Sequence, residues 1–277
     1  MQTATVRSVT AGGAETAFFS FGEGGRALVI LPGLSLQSVM ASAEAVAQAY
    51  AVFAPHYTVW LFDRRRDLPE GFSMRDMARD TAAAMEALGI GQADVFGVSQ
   101  GGMIAQYLAA DCPARVRRLV LASTCSCLPD EAAAVLGRWR DLARMGDAQT
   151  LFEEFAKMLF SPRFLRENAA LLQEAPAVSE ADLERFARLA AACAGFDLRT
   201  RVGAVRCPAL VLGAEADRVI PAARMRETAR LLGCNCFLYG EGYGHGVYDE
   251  APDFKERILR FLLAEDAPSA RAVGAPQ

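Results

Sequence analysis

Residues 94–102, Asp94-Val95-Phe96-Gly97-Val98-Ser99-Gln100-Gly101-Gly102, decide how the rest of the chain is read. An apolar run over 94–98 has the character of a buried strand, and the stretch over 100–111 reads as a helix that stops before Pro113. Between them the letters Gly97-Val98-Ser99-Gln100-Gly101 match G-x-S-x-G. A serine at so tight a strand-to-helix turn occupies strained backbone, and the flanking glycines let the two backbones approach closely. Its hydroxyl then projects above the sheet, the placement a nucleophile needs.

On either side of this unit the pattern repeats. ALVIL (27–31), YTVWLF (57–62), RLVLA (118–122), ALVLG (209–213) and CNCFLY (234–239) are short apolar runs, each followed by a turn signal. Runs without polar alternation are covered on both faces, as in a parallel sheet. Helices are predicted between them. One over 73–88 has a Ser73/Asp76 capping box and stops at Gly89, one over 221–232 opens at Pro221, and a last one spans 252–264. Strands alternating with helices predict an α/β fold, a doubly wound and mostly parallel sheet. The opening segments TATVRSV and ETAFFSF are hairpin-like and add antiparallel strands at one edge.

From about Pro129 to Gly195 the alternation stops and only helical patterns appear. Residues 147–160 align Leu151, Phe155, Met158 and Leu159, and residues 179–193 begin with a Ser179/Asp182 capping box. The domain reading is a core over 1–127 and 197–264, a cap of three or four helices inserted at 128–196, and a disordered tail over 265–277.

Composition bounds the function. In 277 residues, 52% are hydrophobic and 22% charged, which excludes a disordered or fibrous chain. A net charge of −4 argues against nucleic acid as a partner. No apolar run is long enough to span a bilayer, and the N-terminus lacks a secretory stretch, so the expected location is cytoplasmic. Seven cysteines, an odd number, do not suggest a disulfide framework. With two histidines and no C-x₂-C pair, no metal site is expected. Neither a phosphate-binding loop nor a dinucleotide fingerprint is present, so no cofactor is expected.

A serine hydroxyl is a weak nucleophile and needs a base. His56 precedes a strand, on the far side of the sheet from the expected crevice. His245, in Gly244-His245-Gly246, follows the last strand and so lies on the same rim as Ser99. The base in turn needs an orienting carboxylate. Asp217 follows ALVLG on the same rim, with Glu215 as its competitor and Asp249 placed at the start of the next helix. One oxyanion donor should be the backbone N–H of Gln100, at a helix N-terminus.

GVSQGG, AEADRVIP and GYGHG, in the order Ser, Asp, His, resemble the α/β-hydrolase fold superfamily from about residue 15 to 264. Within it the chain is similar to small serine hydrolases that cleave esters, lactones or activated carbon–carbon bonds. The resemblance implies Ser99 as nucleophile, His245 as general base and acid, Asp217 as orienter, and the backbone N–H of Leu34 as second oxyanion donor. Two departures stand out. Pro32-Gly33 replaces the usual His-Gly, and Asp63-Arg64-Arg65-Arg66-Asp67 replaces an Asp-x-Arg-Gly-x-Gly turn. The charge run reads as a solvated face with internal ion pairs, or alternatively as a contact for an anionic substrate.

Trp139, Phe152, Phe155, Phe160, Phe164, Phe186 and Phe196 in the insertion, with Leu34, Met40 and Met103 near the rim, predict a modest apolar acyl or aryl pocket without a strong anion clamp. The expected reaction is hydrolysis of a small carboxylic ester, lactone or thioester through an acyl-enzyme. A C–C bond hydrolase or an acyltransferase would use the same triad, and a small-molecule receptor of the same fold is the alternative outside enzymes. The sequence leaves a homodimer open.

Overall fold

The structure is a computed structural model that describes residues 4–169 and 177–264. The tail expected over 265–277 lies outside the described residues. Eight strands form one sheet: β1 (Arg7–Ala11), β2 (Ala14–Phe21), β3 (Arg26–Leu31), β4 (Tyr57–Arg65), β5 (Ala93–Val98), β6 (Val116–Ala122), β7 (Ala209–Ala214) and β8 (Asn235–Tyr239). Their order is β1-β2-β4-β3-β5-β6-β7-β8. The β1–β2 and β2–β4 pairings are antiparallel, as the hairpin-like opening predicted, and all the others are parallel.

Alternation along each central strand explains why the sheet is covered twice. Val29 and Leu31 of β3 join one apolar cluster, while Leu28 and Ile30 join the other. The same split separates Leu119 and Leu121 from Val120 and Ala122 in β6. The first cluster receives α2 (Met74–Ala87), α3 (Gln100–Asp111) and α8 (Ala222–Leu232). The second receives α1 (Ala43–Ala49) and the C-terminal α10 (Phe254–Leu263). Helix α2 begins with the predicted capping box, in which Ser73 Oγ accepts from the Asp76 amide at 3.2 Å and Asp76 Oδ2 accepts from the Ser73 amide at 3.1 Å. Pro221 precedes α8 as its N-cap rather than opening the helix.

Between β6 and β7 the chain forms α4 (Asp130–Arg144), α5 (Ala148–Leu159), α6 (Pro162–Glu167) and α7 (Glu180–Ala192). It leaves and returns at one place: Cys127 bridges Asp197, the Leu128 amide donates to the Phe196 carbonyl at 2.9 Å, and the Leu198 amide donates to the Ser126 carbonyl at 2.7 Å. Because β3, β5, β6, β7 and β8 run parallel, their carboxyl ends share a rim, with Val98 beside Ala122 and Ala214 beside Tyr239. The loops that follow those ends are therefore neighbours, which brings distant parts of the sequence together. Among the described residues, no helix is long and apolar enough to cross a membrane.

Candidate functional site

Ser99 sits between β5 and α3 with φ 50° and ψ −116°, a left-handed backbone that a side chain rarely adopts. Close packing enforces the turn. A β-carbon on Gly97 would lie 2.5 Å from the Gly101 carbonyl oxygen, and one on Gly101 only 2.0 Å from that of Leu31. The two glycines therefore belong to the motif because strand, helix and neighbouring loop share the space a methyl would need. The Ser99 amide donates to the Ala122 carbonyl at 2.8 Å, and Thr124 Oγ1 donates to the Ser99 carbonyl at 2.8 Å.

His245 is buried in the loop between β8 and the short α9 (Val247–Glu250). The glycines around it have a steric cause. A β-carbon on Gly244 would stand 2.6 Å from the Leu159 carbonyl oxygen, and one on Gly246 would stand 2.6 Å from the Phe160 ring. The loop is seated against the end of α5, where the Gly246 amide donates to the Leu159 carbonyl at 2.7 Å. Buried Glu250 braces it from behind, with Oε1 accepting from the amides of Ser161 at 2.9 Å and Gly244 at 3.3 Å.

Asp217 Oδ2 lies 2.8 Å from His245 Nδ1. Its other oxygen accepts from the amides of Val219 and Ile220, both at 2.8 Å. With that carboxylate beside Nδ1, the neutral imidazole keeps its hydrogen there and leaves the Nε2 lone pair free to take a proton. Glu215, the competing carboxylate, is exposed and pairs with Arg226 instead. Asp249 lies within α9, and His56 is exposed in the turn before β4. Ser99 and His245 line one small void together with Gly33, Leu34 and Gln100. Among the described residues they make no direct hydrogen bond to each other, a contact that often tightens only once substrate is bound.

As the first residue of α3, Gln100 carries one of the N–H groups that a helix cannot satisfy internally, at the positive end of its dipole. The residue-33 loop closes over Ser99: a β-carbon on Gly33 would be 3.4 Å from Ser99 Cβ. Where the usual His-Gly histidine is missing, Arg64 braces this loop. It is buried at 7% exposure, and its guanidinium donates to the Pro32 carbonyl and, at 3.3 Å, to Gln100 Oε1. Burial lowers its pKa to about 10. The charge run is thus only partly a solvated face. Strand β4 continues through Arg65, so Arg64 points inward while Arg65 pairs with Asp80 at 3.0 Å. Asp63 pairs with Arg185 of α7 at 2.9 Å. Gln100 Nε2 donates to the Leu189 carbonyl of α7 at 2.8 Å, a second tie between the inserted helices and the rim. Neither cavity at the rim is lined by Arg64, Arg65 or Arg66.

Of the aromatics expected near the pocket, Trp139 and Phe155 border the small void. Phe152, Phe155 and Phe160 border a larger cavity of about 410 Å³ beside the 32–39 loop. Phe186 and Phe196 are buried in the core instead. Leu34 and Met103 line the void as expected, whereas Met40 lines neither space. Among the described residues, no group of three or more His, Cys, Asp or Glu side chains is placed to hold a metal ion.

A strained serine at a strand-to-helix turn, on the rim that also carries a buried His–Asp pair, defines the hydrolase class of α/β enzymes. The chain belongs to the α/β-hydrolase fold family, whose model matches residues 26–252. It is 29% identical over 203 residues to the pyrrolizixenacetamide deacetylase of Xenorhabdus hominickii, covering 70% of this chain and 74% of that protein. It is 26% identical over 182 residues to the 3-oxoadipate enol-lactonase 2 of Acinetobacter baylyi, covering 64% of this chain and 67% of that protein. Among solved structures, MGS-M2, an α/β-hydrolase enzyme from a Medee basin deep-sea metagenome library, superposes with a TM-score of 0.83 at 20% identity. That match covers 95% of this chain and 100% of the other.

Proposed function

We propose that the chain is a serine hydrolase that cleaves a small, uncharged carboxylic ester, lactone or thioester through an acyl-enzyme, with Ser99, His245 and Asp217 as its triad. The observation that carries this reading is the buried His245–Asp217 pair at 2.8 Å opening onto the same void as the strained Ser99. Ser99 Oγ attacks the carbonyl carbon and its proton passes to His245 Nε2. The amides of Leu34 and Gln100 hold the oxyanion. His245 then gives the proton to the departing oxygen or sulfur, and water repeats the sequence to release the acid and restore Ser99. Asp217 keeps the imidazole in the productive tautomer and stabilises it when charged. The helices at 128–196 act as a cap that keeps bulk water from the acyl-enzyme.

Neither space at the rim is lined by a lysine or arginine among the described residues, which favours a neutral, apolar acyl or aryl substrate. The names of the relatives, a deacetylase and an enol-lactonase, fit acyl chemistry on small molecules. Seven free cysteines suit a reducing compartment, in keeping with a cytoplasmic enzyme. The test is direct. The purified protein should hydrolyse p-nitrophenyl acetate and be labelled at Ser99 by a fluorophosphonate probe, and Ser99→Ala should lose both. Wild-type turnover by Ser99→Ala overturns the mechanism.

A further inference from the structure

Ser99 lines a small space at the rim, and a second space about twentyfold larger lies beside it, with Gly33 and Leu34 as shared walls. The smaller is a void of about 20 Å³, floored by Met103, Trp139, Cys193 and Ile220. A volume of that order admits a water molecule or a methyl group. Those four side chains are all buried, and Trp139 is fixed against Phe155 with ring centroids 4.8 Å apart. Walls packed to interior density do not yield to a longer chain without cost. The larger space, about 410 Å³, runs between the 32–39 loop and the aromatic side chains of Phe152, Phe155 and Phe160. Leu34, Phe155, Leu159 and Tyr248 border both, so the larger space lies directly beside the one that holds Ser99.

A carbonyl carbon bonded to Ser99 carries two arms, the acyl chain and the leaving group, and only one of these spaces takes a long arm. The order of events decides which. The leaving group departs first, while the acyl arm stays attached to Ser99, and water then enters against His245. Exposed Ser35 and Asp249 border the larger cavity, so that side communicates with solvent. A leaving group lodged in the small void would have to pass a retained acyl chain to escape.

The geometry points to an acyl group no larger than acetyl joined to a bulky, neutral, apolar alcohol or phenol. This inference rests on the reading of Ser99 as nucleophile and assigns the arms of its substrate. The bond broken is the acyl carbon–oxygen bond. The alcohol leaves with the proton that Ser99 gave to His245, and water supplies the hydroxyl of the released short-chain acid.

Octyl acetate and ethyl octanoate are constitutional isomers that differ only in which arm is long. Octyl acetate should be the better substrate by about tenfold or more in kcat/KM, because even one excess methylene in a closed apolar pocket costs about 10-fold or more. Equal or faster turnover of ethyl octanoate overturns the assignment. Leu136→Ala and Trp139→Phe, which both enlarge the void from its α4 wall, should each shift the ratio toward ethyl octanoate by about threefold or more. If both variants fold and neither moves the ratio, the assignment fails. Fluorophosphonate labelling of Ser99 separates the two levels. Labelling together with a preference for ethyl octanoate removes only the arm assignment, whereas absence of both labelling and ester turnover removes the triad reading and this inference with it.

Discussion

Ser123 donates its hydroxyl hydrogen to the backbone carbonyl of His245 at 2.7 Å, across 122 residues of chain. Both residues are buried, and Ser123 holds a left-handed φ of 47° at the end of β6. Its neighbour Thr124 pins the Ser99 carbonyl, so two consecutive hydroxyls fix the proposed nucleophile and the proposed base relative to one strand end. Ser123→Ala leaves a buried carbonyl unpaired, which costs about 1–3 kcal/mol of stability. It also loosens the imidazole, and small misplacements of that kind lower kcat by about 10- to 100-fold with little change in KM. Ser123→Gly loses the same hydrogen bond but relieves backbone strain worth about 1–3 kcal/mol. It should therefore unfold near the wild-type temperature and still show the kcat loss. Thermal unfolding and steady-state kinetics on both variants check this, and full activity in Ser123→Gly would remove the positioning role.

Two helical glycines should respond in opposite directions to the same substitution. A β-carbon on Gly101 would meet the Leu31 carbonyl oxygen at 2.0 Å, and backbone cannot step aside as a flexible side chain can. Gly101→Ala should cost about 3 kcal/mol or more. Gly137, within α4, has open space where a β-carbon would stand, with nothing within 4 Å. There the ordinary helix preference for alanine operates, and Gly137→Ala should stabilise by about 0.8–1 kcal/mol. Denaturant midpoints of the two variants read the difference, and a neutral Gly101→Ala would show that the turn is less tightly packed than described.

The central strands were readable because burial on both faces leaves a continuous apolar run, and the turn at Ser99 because close approach demands glycine on either side. What escaped was set by distant partners. Arg64 reads as one of three solvated arginines until β4 is seen to run through Arg65, so that the pleat turns Arg64 inward to the Pro32 carbonyl. Helix α1, AEAVAQA, is too short and too rich in alanine to show an apolar stripe. Nothing in the sequence marks Ser123 or Glu250, whose importance comes from backbone groups of other loops. Spacing also left Asp217 and Glu215 unseparated, since both follow β7 within three residues. The two amides that bond Asp217 Oδ1 turn it toward His245.

That separation has a kinetic consequence. Asp217→Asn keeps the shape but takes away the negative charge that holds the Nδ1 hydrogen, and the loss of tautomer control should lower kcat by about 10⁴-fold. Glu215→Ala breaks only an exposed pair with Arg226, so activity should be unchanged and stability should fall by about 1 kcal/mol at most. Steady-state rates on p-nitrophenyl acetate decide between them. A large loss in Glu215→Ala with a mild one in Asp217→Asn would reverse the assignment.

Cys193 lines the void beside Ser99 and invites confusion with a reactive thiol. Its surroundings oppose that role. Burial disfavours the thiolate and pushes its pKa up to about 11, with the Gln100 side-chain amide, 3.3 Å away, only partly offsetting the effect. A raised thiol pKa means the neutral form persists through the physiological range and the nucleophilic thiolate appears only as pH approaches 11. Iodoacetamide at pH 7.5 should therefore leave both Cys193 and the proposed turnover of p-nitrophenyl acetate intact while fluorophosphonate abolishes that turnover. Between pH 7.5 and 10 the rate of Cys193 alkylation should climb about tenfold per pH unit, in step with the thiolate fraction. Peptide mapping of the alkylated protein measures this. Rapid modification of Cys193 at neutral pH, with matching loss of activity, would mean that the void is wetter and more polar than its apolar walls imply.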